Sequence, residues 1–195
     1  MEANHIYIYL FDGYSDWEIG YLMPELIQDS RYQVLTVSDT GADVTSVGGL
    51  KVKVDCSLED IDISTLKLLI LPGGEMWEKS TNNFNAIDRV VYGIYKYQLP
   101  IAAICRATLY LAQKGMLDYV KHTSNALFYM KGFVPTYHGE KNYVDQLVVR
   151  DQNVVTASGI GATEFSREVM KVLDFNSEYV DRWFQLFKYG IFPAA

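Results

Sequence analysis

The stretch Pro100-Ile101-Ala102-Ala103-Ile104-Cys105-Arg106-Ala107 decides how the rest of the chain is read. Ile101 to Ile104 is short and wholly apolar, the composition of a strand covered on both faces. From Thr108 to Gly115 the apolar residues Leu109, Leu111 and Ala112 recur at helical spacing. Cys105 therefore falls in a tight strand-to-helix turn. Ala103 and Ala107, small residues two positions to either side, let strand and helix approach closely. This is the steric logic of the Gly-x-Ser-x-Gly nucleophile elbow, with alanine for glycine and sulfur for oxygen. A cysteine here can also be an inert small hydrophobe, so its role depends on what else the chain brings to it.

Upstream, His5 to Phe11 reads as a strand ending at the turn pair Asp12-Gly13, and Asp16 reads as the N-cap of a helix carrying Trp17, Tyr21, Leu22 and Leu26. Pro24 inside that pattern is expected to kink it. Tyr32 to Val37 is a second strand. Val44 to Val47 and Leu50 to Val54 flank Gly48-Gly49, the signature of a two-residue hairpin turn, and predict an excursion from the main sheet. Leu66 to Leu71 is a continuous apolar strand apart from Lys67, running into Pro72-Gly73-Gly74. Asn85 to Tyr97 places Ile87, Val90, Val91, Ile94 and Tyr95 on one helical stripe, a crossover back to the Cys105 strand.

Beyond Gly115 a long loop-rich stretch reaches about Asp145 and holds His122 and His138. Leu147 to Arg150 and Val154 to Ala157 then pair, and Thr163 to Leu173 and Ser177 to Tyr189 are helices. The aromatic-rich end, with Tyr179, Trp183, Phe184, Phe187 and Phe192, reads as a packed helix. Strands alternating with helices predict one α/β domain over residues 1–195, with an open, mostly parallel, doubly wound sheet.

Composition narrows the function classes. The chain has 195 residues, 49% hydrophobic content and a formal net charge of -7. That charge and the absence of a Lys/Arg run argue against nucleic acid as a partner. No apolar run approaches the roughly 18 residues that would cross a bilayer, and no basic leader precedes the first strand, so a cytoplasmic protein with no membrane partner is expected. Two cysteines, Cys56 and Cys105, fit a reducing compartment and free thiols. No dinucleotide or P-loop motif and no His-rich ligand spacing occurs, so neither cofactor nor metal is expected.

In a doubly wound sheet, ligands bind beyond the carboxyl ends of the strands. That rule gathers Gly13 to Glu18, Gly73 to Glu75, Cys105 to Ala107 and Gly159 to Thr163 at one edge. Cys105 ahead of a helix is expected to have its thiolate favoured by the helix dipole and backbone N–H groups. Glu18, if held protonated by burial, can donate a hydrogen bond to that sulfur, so a raised Glu18 pKa is expected. The N–H groups of Gly73, Gly74 and Arg106 can form an oxyanion site. The Arg106 side chain either lowers the thiol pKa and holds an acidic substrate, or turns away into a salt bridge. His138 and His122 are the possible bases.

Gly13-Tyr-Ser-Asp-Trp-Glu18, Leu-Ile-Leu-Pro-Gly-Gly74, Ile-Ala-Ala-Ile-Cys105 and Val-Thr-Ala-Ser-Gly159, in this order over nearly the whole chain, resemble the PfpI family. That family also includes the parkinsonism-associated protein and belongs to the class I glutamine-amidotransferase-like superfamily. The resemblance implies a flavodoxin-like three-layer αβα sandwich and a homodimer. It also implies a small-molecule substrate, with Cys105 and Glu18 catalytic and Gly74 in the oxyanion site. Activities in the family range from peptidase and glyoxalase or deglycase to isocyanide hydratase and oxidative-stress roles. The implied function is a cysteine-dependent hydrolase or lyase acting on a small electrophilic carbon; the alternative is a redox sensor whose cysteine oxidises to a sulfinate.

Two departures from the family pattern stand out. Arg106-Ala107 replaces the His-Gly or Ala-Gly that many members place after the cysteine, which removes the histidine assigned to the peptidase triad. The histidine that a parkinsonism-type member carries nearby falls on Asn125. The late His-x-Glu pair of true glutamine amidotransferases is missing, which sets amide transfer aside.

Overall fold

The structure, a computed structural model, describes residues 4–79 and 84–192. Its main sheet has seven strands: β1 (His5–Tyr9), β2 (Gln33–Ser38), β5 (Cys56–Ser57), β6 (Leu66–Leu71), β7 (Ile101–Ile104), β8 (Val148–Asp151) and β9 (Val154–Ala157). Their order is β5-β2-β1-β6-β7-β9-β8, all parallel except β8, which runs antiparallel to β9. β6 and β7 lie in the middle, and apart from Lys67 every residue of both is buried, which is why their sequences run apolar without alternation.

The predicted excursion is a separate antiparallel pair, β3 (Val44–Thr45) with β4 (Lys51–Val52). Its connection is wider than a two-residue turn. The Ser46 N–H donates to the Leu50 carbonyl at 2.9 Å, and of the glycine pair only Gly49 has a positive φ, 87°.

Among the described residues there are six α-helices: α1 (Leu22–Gln28), α2 (Asn85–Tyr97), α3 (Ala107–Gln113), α4 (Leu127–Phe133), α5 (Ala162–Val172) and α6 (Ser177–Tyr189). α5 packs on α1, α6 and β9, while α3 packs on α4 and on the single turn Glu75–Glu78. The result is the flavodoxin-like αβα sandwich.

Several expectations are corrected. Asp16 does not cap a long helix. Residues Asp16–Glu18 form a 3-10 turn and α1 starts later, so Pro24 sits in the first helical turn, where no backbone donor is needed and no kink follows. The Asp16 carboxylate instead accepts from the Ser46 hydroxyl and from the Gly48 N–H at 3.2 Å, which ties the hairpin to the site edge. Tyr95 is exposed rather than part of the buried stripe of α2. The stretch after Gly115 holds α4 and a 3-10 turn at Glu140–Asn142. α6 buries Val180, Trp183 and Phe184 but leaves Tyr179 and Phe187 exposed, and Phe192 beyond its end is exposed too.

Two features aim the chain at one place. From β1 the chain moves outward to β2 and β5, then returns to lay β6 on the other side of β1, so the topological switch point lies between β1 and β6. The register pairs Leu71 with Ala103 and Ile104 with Ala157. Continued past the strand ends, it brings Gly73 level with Cys105 and Gly159 one residue beyond it. Trp77, wedged among Tyr9, Phe11, Phe84 and Tyr110, donates its indole N–H to the Pro72 carbonyl at 2.9 Å and fixes that turn from behind.

Candidate active site

Cys105 has φ 61°, the left-handed region that a side chain with a Cβ enters only at a cost of about 1–2 kcal/mol. The surroundings over-determine it. Its N–H donates to the Ala157 carbonyl at 2.8 Å, and its carbonyl accepts from the Thr108 N–H at 3.2 Å and the Thr108 hydroxyl at 2.6 Å. Ala103 and Ala107 are fully buried, as the elbow requires. Gly73 and Gly159 are glycines for the same steric reason. A Cβ on Gly73 would lie 2.7 Å from the Cys105 Cβ, and one on Gly159 would lie 2.8 Å from its sulfur. Strained backbone of this kind clusters where a fold presents a reacting group.

Glu18 is completely buried. Its Oε2 accepts the Gly73 N–H at 2.6 Å, while Oε1 is buried without a hydrogen-bond partner. Burial pushes the carboxyl up to about 7, against the Gly73 N–H hydrogen bond and the nearby Cys105 and Ser15 side chains, which favour its charged form. The raised pKa matches the expectation.

The thiol does not behave as expected. Burial first, and the Glu18 charge second, push Cys105 up to about 11, although Asn125 and the Arg106 N–H act in the opposite sense. Proximity to α3 does not outweigh desolvation, because a charge removed from water loses more than one helix terminus returns. The resting site is thus a thiol beside a carboxyl that titrates near neutrality.

The Arg106 side chain turns away. Its Nε lies 2.5 Å from Glu78 and 3.2 Å from the Tyr129 hydroxyl, which itself donates to Glu78. Of Arg106, the backbone N–H is what favours the charged form of the sulfur. The Gly73 N–H is committed to Glu18 and leaves the oxyanion group. Gly74 has φ 156°, and a Cβ there would meet the Phe11 ring at 2.5 Å; its N–H has no acceptor among the described residues.

Neither histidine reaches the sulfur. His122 is buried, with Nδ1 2.7 Å from the Val120 carbonyl and Nε2 2.5 Å from the Tyr137 hydroxyl, and burial lowers its pKa. His138 is exposed, and its backbone N–H donates to Asp118. Both are structural in position, because the segment between α3 and β8 turns its 123–125 portion, and not its histidines, toward the elbow.

That portion supplies what the residue-by-residue reading missed. The Asn125 Nδ2 donates to the Cys105 sulfur at 3.3 Å, and its Oδ1 accepts the Gly159 N–H at 2.9 Å. The available signal was its position, where a relative places a histidine. Among the described residues no three His, Cys, Asp or Glu side chains gather as metal ligands would, and no helix is long and apolar enough to cross a membrane.

Comparison with known proteins identifies the family and the fold. A Bacillus subtilis (strain 168) protein named uncharacterized protease YoaZ is 41% identical, over 96% of this chain and 92% of its own length. Deglycase TK1284 of Thermococcus kodakarensis is 28% identical, over 83% of this chain and 95% of its own. Among solved structures, a thiJ/pfpI family protein from Bacillus anthracis superposes with a TM-score of 0.88 at 38% identity, covering 98% of this chain and 93% of the other. The DJ-1 superfamily protein Atu0886 from Agrobacterium tumefaciens superposes with a TM-score of 0.87 at 34% identity, covering 96% and 98%. Residues 4–172 match the DJ-1/PfpI family from β1 to the last turn of α5, and the chain belongs to that family.

Proposed function

We propose that the chain is a cysteine-dependent enzyme that adds the Cys105 sulfur to an electrophilic carbon of a small molecule. The observation that carries this reading is the buried Glu18 carboxyl beside the thiol, raised to about 7. A thiol this reluctant to ionise reacts when a neighbouring base takes its proton as the new bond forms. As the S–C bond forms, the thiol proton passes to Glu18 and the carbonyl π pair moves onto oxygen. Glu18 then returns the proton to that oxygen, leaving a neutral hemithioacetal with no change of oxidation state. The N–H groups of Gly74 and Arg106 are the donors for the developing oxyanion.

Relatives named deglycase favour carbonyl addition. Relatives named protease do not decide the matter, since this chain has no histidine at the sulfur and carries Arg106 where the peptidase-like histidine stands.

The test is a panel of α-oxoaldehydes, esters, isocyanides and peptides run on the wild type, Cys105→Ala and Glu18→Gln. Turnover of a carbonyl substrate is expected to fall at least about 100-fold in both variants. In the wild type it should rise with pH through about 7 as Glu18 ionises. A Cys105→Ala protein that keeps the wild-type rate sinks the proposal.

A second reading rests on the unpartnered Glu18 Oε1. Two equivalents of hydrogen peroxide would oxidise the sulfur stepwise to a sulfinate, releasing two waters, and protonated Glu18 would donate to the new oxygen. Intact-mass analysis after graded peroxide tests it; Cys105 oxidising no faster than Cys56 rules it out.

A further inference from the structure

The Asn125 carboxamide can lie only one way round. The Gly159 N–H is a donor and nothing else, so the Asn125 atom 2.9 Å from it is Oδ1, and the atom 3.3 Å from the sulfur is the NH2 group. The segment that carries it is pinned by buried hydroxyls. The Thr123 N–H donates to the Thr156 hydroxyl at 2.8 Å, and the Thr123 hydroxyl donates to the Gln146 carbonyl at 2.7 Å. The Ser124 hydroxyl meets that of Thr108 at 2.7 Å, and the Thr108 hydroxyl also donates to the Cys105 carbonyl. The elbow and the amide are therefore parts of one hydrogen-bonded network.

We propose that Asn125 is a catalytic residue of this site: a fixed, non-ionisable donor that stabilises negative charge on the Cys105 sulfur, while Glu18 alone moves the proton. This deepens the reading of Cys105 as nucleophile and rests on it. A carboxamide neither accepts a proton nor carries charge at any working pH, so it cannot replace a histidine base. What it supplies is a charge-assisted hydrogen bond that strengthens as the thiolate develops. The charged groups around the sulfur are Glu18, which opposes the thiolate, and Arg106, whose guanidinium is engaged by Glu78. The Asn125 amide thus offsets part of the cost that burial and Glu18 impose.

The experiment is iodoacetamide alkylation of Cys105, followed by peptide mass with Cys56 as internal reference. It needs no substrate, so it separates failure of this proposal from failure of the proposed turnover. Asn125→Ala should slow Cys105 about fourfold near pH 8. The thiolate fraction falls about tenfold when one hydrogen bond to a charge is lost, and the higher nucleophilicity of the more basic sulfur restores part of the rate. Asn125→Asp keeps an acceptor for the Gly159 N–H but replaces the donor with a carboxylate, and should be slower than the alanine variant. Asn125→His should add a second inflection to the pH profile, from the imidazole. An aspartate variant that alkylates like the wild type while alanine is slow reduces Asn125 to a tether for the Gly159 turn and overturns the proposal, as does a wild-type rate in both.

Discussion

The two cysteines of this chain are both half-buried free thiols whose pKa is pushed up, yet their surroundings differ. Cys56 lies in the edge strand β5, half-buried, its Sγ 3.8 Å from the Thr36 carbonyl, and burial with the charges of Asp60 and Asp55 pushes its thiol up. Cys105 is pushed up as well, to about 11. Acidity alone therefore does not mark the reactive sulfur. What separates the two is backbone and company. Cys105 holds a left-handed φ, faces a buried carboxyl that titrates near 7 and receives a fixed amide donor, whereas Cys56 sits at a regular strand position beside solvated acids. A buried thiol without a proton acceptor is inert; with one, it can react without first becoming a free thiolate.

The largest effect that bears on this contrast is pH-dependent stability. Glu18 has a native pKa raised from 4.5 to about 7, so between these values the folded protein binds more protons than the unfolded chain. Its contribution is fully present below about pH 4.5 and is lost as pH rises through about 7. Relative to Glu18→Gln, the wild type should lose about 3 kcal/mol of unfolding free energy over that window. Urea titrations of both proteins near pH 5 and near pH 8 measure the difference. Parallel pH profiles would mean that Glu18 is not desolvated and would break the contrast at its main point.

Next comes crowding of the elbow. Gly73→Ala forces a Cβ to within 2.7 Å of the Cys105 Cβ and 2.8 Å of the Glu18 carboxylate, which should destabilise by about 2 kcal/mol or more. The matched change beside Cys56 is Gly41→Ala. Its nearest contact would be an ordinary 3.4 Å, so only the strain of φ 78° remains, about 1 kcal/mol. Denaturant midpoints rank the pair, and the reverse ranking would show that the elbow has room to spare.

The smallest effect is a change of sign. At Cys105 glycine should be more stable than alanine by about 1 kcal/mol, because the left-handed backbone penalises any Cβ; at Cys56 alanine should be more stable than glycine by a similar amount. Thermal unfolding of the four variants reads this directly. Equal signs at the two sites would remove backbone strain from the account of Cys105.

Much of this was legible in one dimension, because the physics that wrote it is local. A strand buried on both faces must be apolar throughout, so Leu66–Leu71 and Ile101–Ile104 declare themselves, apart from Lys67. The elbow at Cys105 shows in its flanking alanines, and the carboxyl-end rule then gathers Glu18 and the Pro72-Gly73-Gly74 turn beside it. Local pattern fails where contacts decide. Pro24 reads as a kink until the helix start is seen to fall two residues before it. α4 is short, and its one fully buried residue, Met130, leaves little apolar periodicity to read.

The sequence by itself determined the sheet, the elbow and the pairing of a thiol with an acid, since these follow from the apolar period and from which residue types end each strand. Only the tertiary structure decided the direction of the thiol pKa, the turning of Arg106 toward Glu78 and of the Gly73 N–H toward Glu18, and the choice of Asn125 over His122 and His138 as the third group at the sulfur. The physical reason is the same in each case. Desolvation and hydrogen-bond partnership depend on which distant segments exclude water from a side chain and offer it donors, and no local pattern along the chain encodes that neighbourhood.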